Sequence, residues 1–140
     1  MKFPNNTLKI SDFEDKTLLI VDDDDPFRGR LGRAMTSKGF EVTLAKGVEE
    51  AKLIVKKKTP AFAVIDLRLL DGNGLDVVDA IHRIKEDSRI VMLTGYGNLP
   101  TAVAAVKAGA IDYISKPAEA EAVEAALLAA PDRKAAPPEN

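Results

Sequence analysis

The sequence predicts an α/β fold: a doubly wound, five-stranded parallel sheet with helices on both faces. Three observations carry this expectation. First, Ala61-Phe62-Ala63-Val64-Ile65-Asp66 is a continuous apolar run that stops at an acid, with Pro60 before it and Asp71-Gly72-Asn73-Gly74 soon after. A short apolar run bounded by turn residues reads as a strand buried on both faces. Second, four more strand-like segments alternate with five helical patterns, which calls for right-handed crossovers. Third, several of the strands end in polar groups. In an open parallel sheet ligands bind beyond the carboxyl ends of the strands, so Asp66 is expected at the rim of a pocket.

A chain of 140 residues is enough for one ordinary domain with its own core. The formal net charge of -2 supplies no electrostatic footprint for nucleic acid. The absence of cysteine excludes disulfides, thiol chemistry and thiolate metal sites. No run approaches the length of a membrane span, and the N-terminus lacks the apolar core of a signal peptide. The expected class is a soluble cytoplasmic domain.

Taken in order, residues 1–15 read as a loose polar leader in which Phe3, Ile10 and Phe13 could dock on the domain. Lys16 to Val21 is the first strand, and it ends in the acids Asp22 to Asp25. Asp25 followed by Pro26 reads as an N-cap and a proline in the first helical turn. Phe27, Leu31, Ala34 and Met35 then recur at helical spacing. Gly29 and Gly32 weaken this helix by roughly 1 kcal/mol each relative to alanine, so packing must offset them. Gly39 suits the turn that ends it. Phe40 to Leu44 alternates apolar and polar, as a half-exposed edge strand does.

Val48, Ala51, Ile54 and Val55 mark the second helix, and Lys56-Lys57-Lys58 reads as its solvated last turn, favoured by the helix dipole. After the Asp66 strand, Gly74 opens a third helix with Val77, Val78, Ile81 and Ile84 inward. His82 reads as a surface residue beside that stripe, without ligand partners. Arg89 to Thr94 is the fourth strand, and Gly95 to Asn98 its loop. Pro100 begins an Ala-rich helix with Leu99, Val103 and Val106 on one side, ended by Gly109. Ala110 to Ser115 is the fifth strand. It leads through Lys116-Pro117 to a final helix with Val123, Leu127 and Ala130 inward. From Pro131 the composition suits a linker.

Five strands fit the flavodoxin-like order 2-1-3-4-5. That order sets the strands ending at Asp22 and Asp66 side by side and makes Phe40 to Leu44 an edge. Asp22, Asp23, Asp66, Thr94 and Lys116 then converge at one edge of the sheet. Three carboxylates in one cleft repel one another unless a cation neutralises them or protons are taken up. Oxygen ligands with an open side suit Mg2+, while Lys116 and Thr94 suit phosphoryl oxygens. The chemistry read from these groups is attack of a carboxylate on phosphorus.

Ile20-Val21-Asp22-Asp23, Val64-Ile65-Asp66, Leu93-Thr94-Gly95 and Ser115-Lys116-Pro117 resemble the four motifs of bacterial response-regulator receiver domains, which have the CheY-like form of this fold. The motifs stand in the family's order and at similar separations, and the likeness covers roughly residues 16–130. Within that family, Asp22 to Phe27, Asp66 to Asp76 and Thr94 to Pro117 resemble the redox-responsive global regulators of alphaproteobacteria, the RegA/PrrA/ActR type. In those, a Pro-rich linker similar to Ala135 to Asn140 leads to a C-terminal helix-turn-helix that binds DNA. Residues 131–140 are expected to begin that linker, with the DNA-binding domain absent from this chain.

The resemblance implies that Asp66 accepts a phosphoryl group from the phosphohistidine of a sensor histidine kinase. It implies that Asp23, Asp66 and the Arg68 backbone carbonyl bind Mg2+, with Asp22 acting mostly through water. Thr94 and Lys116 would hold phosphoryl oxygens, and Tyr113 would switch together with Thr94. Arg68 and Tyr96 flank the hydrolytic water's path and would set the lifetime of the phosphate. Asp25 is assigned to capping, and Asp24 is left as a buried-site neighbour or a solvated group. The expected function is a regulatory switch, not an enzyme acting on other molecules. Self-association is expected to be weak before phosphorylation, through a patch between helices 4 and 5, and DNA is expected to be bound only through the C-terminal domain.

Three rivals stand beside this reading. One is a non-phosphorylated, receiver-like interaction module, although every part of the site is present here. Another is an aspartyl-nucleophile phosphatase, which usually carries an acid two residues after the nucleophile, where this chain has Arg68. The third is an FMN protein, against which the acidic loop after the first strand speaks.

Overall fold

The computed structural model describes residues 8–95, 103–104, 106–107, 109–110 and 112–129. Strands β1 (Thr17–Val21), β2 (Glu41–Ala45) and β3 (Phe62–Asp66) are followed by a short ladder, β4 (Arg68–Leu69) with β5 (Gly72–Asn73), and then by β6 (Arg89–Thr94) and β7 (Asp112–Ser115). The helices are α1 (Asp25–Ser37), α2 (Val48–Lys57), α3 (Gly74–Ile84) and α4 (Ala120–Leu128). The five-stranded sheet runs β2-β1-β3-β6-β7, all pairs parallel, which is the expected order. Residues 103–104 and 106–107 are helical, and Val103 and Val106 are exposed. Leu99, Pro100, Ala130 and the linker expected from Pro131 lie outside the described residues.

The side-chain alternation of the central strands divides the core in two. Leu19, Val21, Ala63, Ile65, Ile90 and Met92 meet Val48, Ala51, Val55, Val77, Val78 and Ile81 from α2 and α3. Leu18, Ile20, Phe62, Val64, Val91 and Leu93 meet Phe27, Leu31, Met35, Val123 and Leu127 from α1 and α4. β3 is buried along its whole length, as its unbroken apolar run requires. β2 is the largely exposed edge. Gly32 is buried, and a β-carbon there would stand 3.0 Å from Leu44 Cδ2 of the edge strand, so the helix lies close on β2 at the glycine that weakens it.

Three expectations are corrected. Ile84 is 61% exposed rather than inward. It is the last helical residue before Lys85 turns into extended backbone, so the stripe continues past the end of the core. His82 is not a free surface residue: it is half-buried, and its Nε2 donates to the Ser88 carbonyl at 3.1 Å. Gly109, at φ +114, lies against its ring, and a β-carbon there would overlap the imidazole. The N-cap of α1 is Asp24, whose carboxylate accepts from the Phe27 amide at 3.0 Å, not Asp25.

Residues 8–15 pack on the domain. Ile10 and Phe13 both contact the core, and Phe13 meets Phe62 edge-on at 5.0 Å. The Leu8 amide donates to the Leu128 carbonyl at 2.9 Å, tying this segment to the end of α4. Arg89 reinforces the tie. Its guanidinium lies over the Phe13 ring, donates to the Leu127 carbonyl at 2.6 Å and also donates to the Ala129 carbonyl. Burial lowers its pKa below the ordinary arginine value. Arg89→Ala is therefore expected to lower the free energy of unfolding by about 2 kcal/mol, from lost charged hydrogen bonds and lost ring contact. Arg89→Lys should recover only part, because a single ammonium cannot reproduce the fork. Urea titration of the three proteins checks this; equal midpoints would refute it.

Candidate functional site

The backbone brings the polar groups together before any side chain acts. The Asp22 amide donates to the Ala45 carbonyl at 3.1 Å, continuing the β1–β2 pairing one residue past β1. Asp66 ends β3 and stands in register with Leu93. Thr94 ends β6 opposite Ser115, and the Lys116 amide donates to the Thr94 carbonyl at 2.7 Å. Five polar residues from four strand ends are thus fixed at the carboxyl edge, beside the β1–β3 switch point of the sheet.

Asp22, Asp23 and Asp66 each offer a carboxylate oxygen within 4.8 Å of the others. The Asp22 side chain is fully buried; its Oδ1 accepts from the Asp24 amide at 2.8 Å and its Oδ2 from Lys116 Nζ at 3.0 Å. Lys116 Nζ also reaches Asp66 Oδ2 at 3.5 Å. Asp66 Oδ1 accepts from the Arg68 amide at 3.3 Å. Thr94 is buried, and among the described residues its Oγ1 has no hydrogen-bond partner. A buried hydroxyl without a partner is costly unless something else occupies its donor position.

The electrostatics follow from this crowding. Burial, and then the charge of Asp22, push the Asp66 carboxyl above the ordinary aspartate value, against the opposing pull of Lys116 and the Arg68 amide. For Lys116, burial alone would lower the ammonium. The hydrogen bond to Asp22 and the charges of Asp22 and Asp66 outweigh it and hold the lysine above its ordinary value. Three carboxylates facing one ammonium leave an excess of negative charge, all of it on oxygen. That donor set fits a hard divalent cation, and Asp22, Asp23 and Asp66 are the side chains that would hold it.

The loop after Asp66 is more ordered than turn residues alone suggest. The Leu67 amide donates to the Leu93 carbonyl at 2.9 Å, β4 and β5 form a small antiparallel ladder, and the Gly74 amide returns to the Leu67 carbonyl at 2.7 Å. Asp71, at the ladder's turn, caps α2 from a distance: it accepts from the Val48 and Glu49 amides at 2.7 and 3.1 Å. Those two bonds hold its carboxyl below the ordinary range. A crevice of about 470 Å³ opens beside this loop, lined by residues that include Asp23, Lys46, Glu49, Leu70 and Asp71. Asp66, expected at a pocket rim, is only 7% exposed and does not line this crevice.

Of the other residues singled out in the sequence, Arg68 is exposed in β4 and Tyr113 is 36% exposed in β7. Tyr96 lies outside the described residues. Sequence reasoning missed Arg28, which donates to the Asp22 carbonyl at 2.7 Å and pairs with Asp25 at 2.6 Å. The (i, i+3) spacing of Asp25 and Arg28 was a usable signal for the second contact. Nothing local signalled the first.

A parallel sheet of this order, with acids at its switch point and a lysine crossing to them from the last strand, is the architecture of a signalling receiver. Residues 18–128 match the response regulator receiver domain family, and the chain belongs to it. Among curated proteins it is similar to the photosynthetic apparatus regulatory protein RegA of Cereibacter sphaeroides, 56% identical over 126 residues that cover 90% of this chain and 68% of the relative. The acid tolerance regulatory protein ActR of Rhizobium meliloti is 54% identical over 126 residues, 90% of this chain and 65% of that one. The chain thus spans about two thirds of the length of these relatives. A crystal structure of a response regulator from Burkholderia pseudomallei, containing a phosphorylated aspartic acid, a calcium ion and citrate, superposes with a TM-score of 0.76 at 38% identity, over 81% of this chain and 66% of that one. The receiver domain of NtrX from Brucella abortus does so with a TM-score of 0.70 at 30% identity, over 79% of this chain and 97% of that one. The chain is a receiver domain of the two-component response regulators that control transcription.

Proposed function

We propose that Asp66 is the phosphoacceptor and that a sensor histidine kinase is the donor. The observation that carries this is the convergence of Lys116 on Asp22 and Asp66 beside the Thr94 hydroxyl, which has no hydrogen-bond partner among the described residues. An Asp66 carboxylate oxygen attacks the phosphorus of a phosphohistidine. The phosphorus–nitrogen bond breaks, and the imidazole leaves with the electron pair and takes a proton. Lys116 then exchanges its contact with Asp66 for a phosphoryl oxygen, and Thr94 donates its hydroxyl to another. Asp23, Asp66 and the Arg68 carbonyl are the proposed direct ligands of Mg2+, with Asp22 acting mostly through water; when bound, the ion would neutralise charge on the transferring group.

The phosphoryl group adds about -1.5 to -2 charges next to buried acids. Thr94 moves toward it and leaves room for Tyr113, now partly exposed, to turn inward. In this reading residues 16–130 are the receiver and 131–140 begin a linker to a C-terminal helix-turn-helix, through which the regulator binds DNA. Phosphorylation promotes a homodimer. The chemistry is self-directed, and the protein works in the cytoplasm; among the described residues no helix is long and apolar enough to cross a membrane.

Phosphotransfer from the autophosphorylated partner kinase tests the assignment. Wild type should become labelled, and Asp66→Asn should lose at least about a hundredfold in rate, because the amide is a far poorer nucleophile. Labelling of Asp66→Asn at the wild-type rate would defeat the proposal. Arg68 and Tyr96 are proposed to shield the phosphate from the in-line water. Arg68→Ala and Tyr96→Ala should each shorten the acyl-phosphate half-life about tenfold with Mg2+ saturating, a barrier change of roughly 1.4 kcal/mol. Unchanged half-lives in both would remove the shielding role.

A further inference from the structure

We infer that Phe27 is a positioning residue for phosphoryl transfer: its aromatic face holds the Lys116 ammonium in place between Asp22 and Asp66. This rests on the assignment of Asp66 as phosphoacceptor. Lys116 Nζ stands 4.8 Å from the centroid of the Phe27 ring, within the range of a cation–π contact. On its other side the same nitrogen reaches Asp22 Oδ2 at 3.0 Å and Asp66 Oδ2 at 3.5 Å. The ring is well anchored. Phe27 is 7% exposed in the first turn of α1, its amide is capped by Asp24, and it packs in the core with Leu31 and Met35.

The chemistry of the contact explains why a ring suits this place. A long, flexible lysine side chain must be held where its charge is needed. A fourth carboxylate would hold it but would add repulsion to three that already crowd within 4.8 Å. A hydrogen-bond acceptor would occupy one of its three donors. An aromatic face attracts the ammonium through its quadrupole and leaves those donors to the acids, and then to phosphoryl oxygens. Ordinary core packing by Phe27 would need only its volume. The positioning role needs its electron-rich face.

Fluorination separates the two, because it drains the ring face while nearly preserving shape. The full chain carrying 4-fluoro-, 3,5-difluoro- or 3,4,5-trifluorophenylalanine at position 27 is phosphorylated with acetyl phosphate and Mg2+. The logarithm of the rate constant should fall stepwise with fluorine count, by about threefold to tenfold across the series, while the melting temperature stays nearly constant. Affinity for beryllofluoride should fall in parallel. Without metal, the Lys116 ε-methylene protons should show an upfield ring-current shift that Phe27→Leu abolishes. A flat fluorine series, with wild type labelled on Asp66 and Asp66→Asn unlabelled, overturns this inference alone. Labelling of Asp66→Asn as fast as wild type overturns the phosphoacceptor assignment and this inference with it.

Discussion

Lys116→Met is expected to destabilise the metal-free protein by about 3 kcal/mol at neutral pH, the range for removing one partner of a buried ion pair. The Asp22 carboxylate has no exposure and takes one of its bonds from Lys116 Nζ. Methionine keeps the stem but leaves three neighbouring carboxylates without that counter-charge. Asp66→Asn should act in the opposite direction and raise the metal-free melting temperature. Burial and the charge of Asp22 already penalise the ionised form of Asp66, and the amide removes that penalty.

The pH dependence follows with its sign. A carboxyl whose folded pKa is raised holds more protons in the folded state than in the unfolded one near that pKa. Its ionisation is thus a cost at neutral pH, relieved as the pH falls through the folded value. The raised lysine gives stability that is present below its unfolded pKa and lost as the pH rises through its folded one. In Lys116→Met that alkaline loss should vanish, and the stability deficit should shrink on acidification as Asp66 takes up its proton. Chemical denaturation from pH 5 to 11 in chelator, then with Mg2+, checks both statements. A deficit independent of pH and of Mg2+ would mean that the lysine only packs.

Gly74→Ala is expected to cost about 3 kcal/mol or more and to depress phosphoryl uptake as well. The reason is close approach. A β-carbon at Gly74 would overlap the Asp66 carbonyl oxygen and stand 2.9 Å from Ile65 Cγ2. Neither neighbour can yield cheaply. Asp66 is held in register with Leu93, and Ile65 is wholly buried. Either the start of α3 or the end of β3 must move, and the latter carries Asp66, the proposed phosphoacceptor. Gly95→Ala is the control, since nothing among the described residues lies within 4 Å of a β-carbon there. It should change stability by less than about 0.5 kcal/mol. Equal midpoints for the two variants in urea would show that the strand end tolerates the shift.

The sequence by itself determined the five strands, their order and the meeting of Asp22, Asp23, Asp66, Thr94 and Lys116. Apolar runs report burial along the chain, and in a doubly wound sheet the strand ends have nowhere else to converge. The central strand β3 was legible because both its faces are covered, which leaves an unbroken apolar run. Where the answer depended on distance in space, only the tertiary structure decided it. Asp24 rather than Asp25 caps α1 because the turn after Asp22 aims Asp24 at the Phe27 amide, and two adjacent acids look alike in a sequence. Asp71 caps α2 across 23 residues, a pairing no local pattern encodes. Ile84 kept the right angular position on α3 but lies past the end of the core, since periodicity sets direction around a helix and not the reach of what it packs on. The docking of residues 8–15 and the Phe27–Lys116 contact likewise depend on where α1, α4, β6 and β7 stand relative to one another.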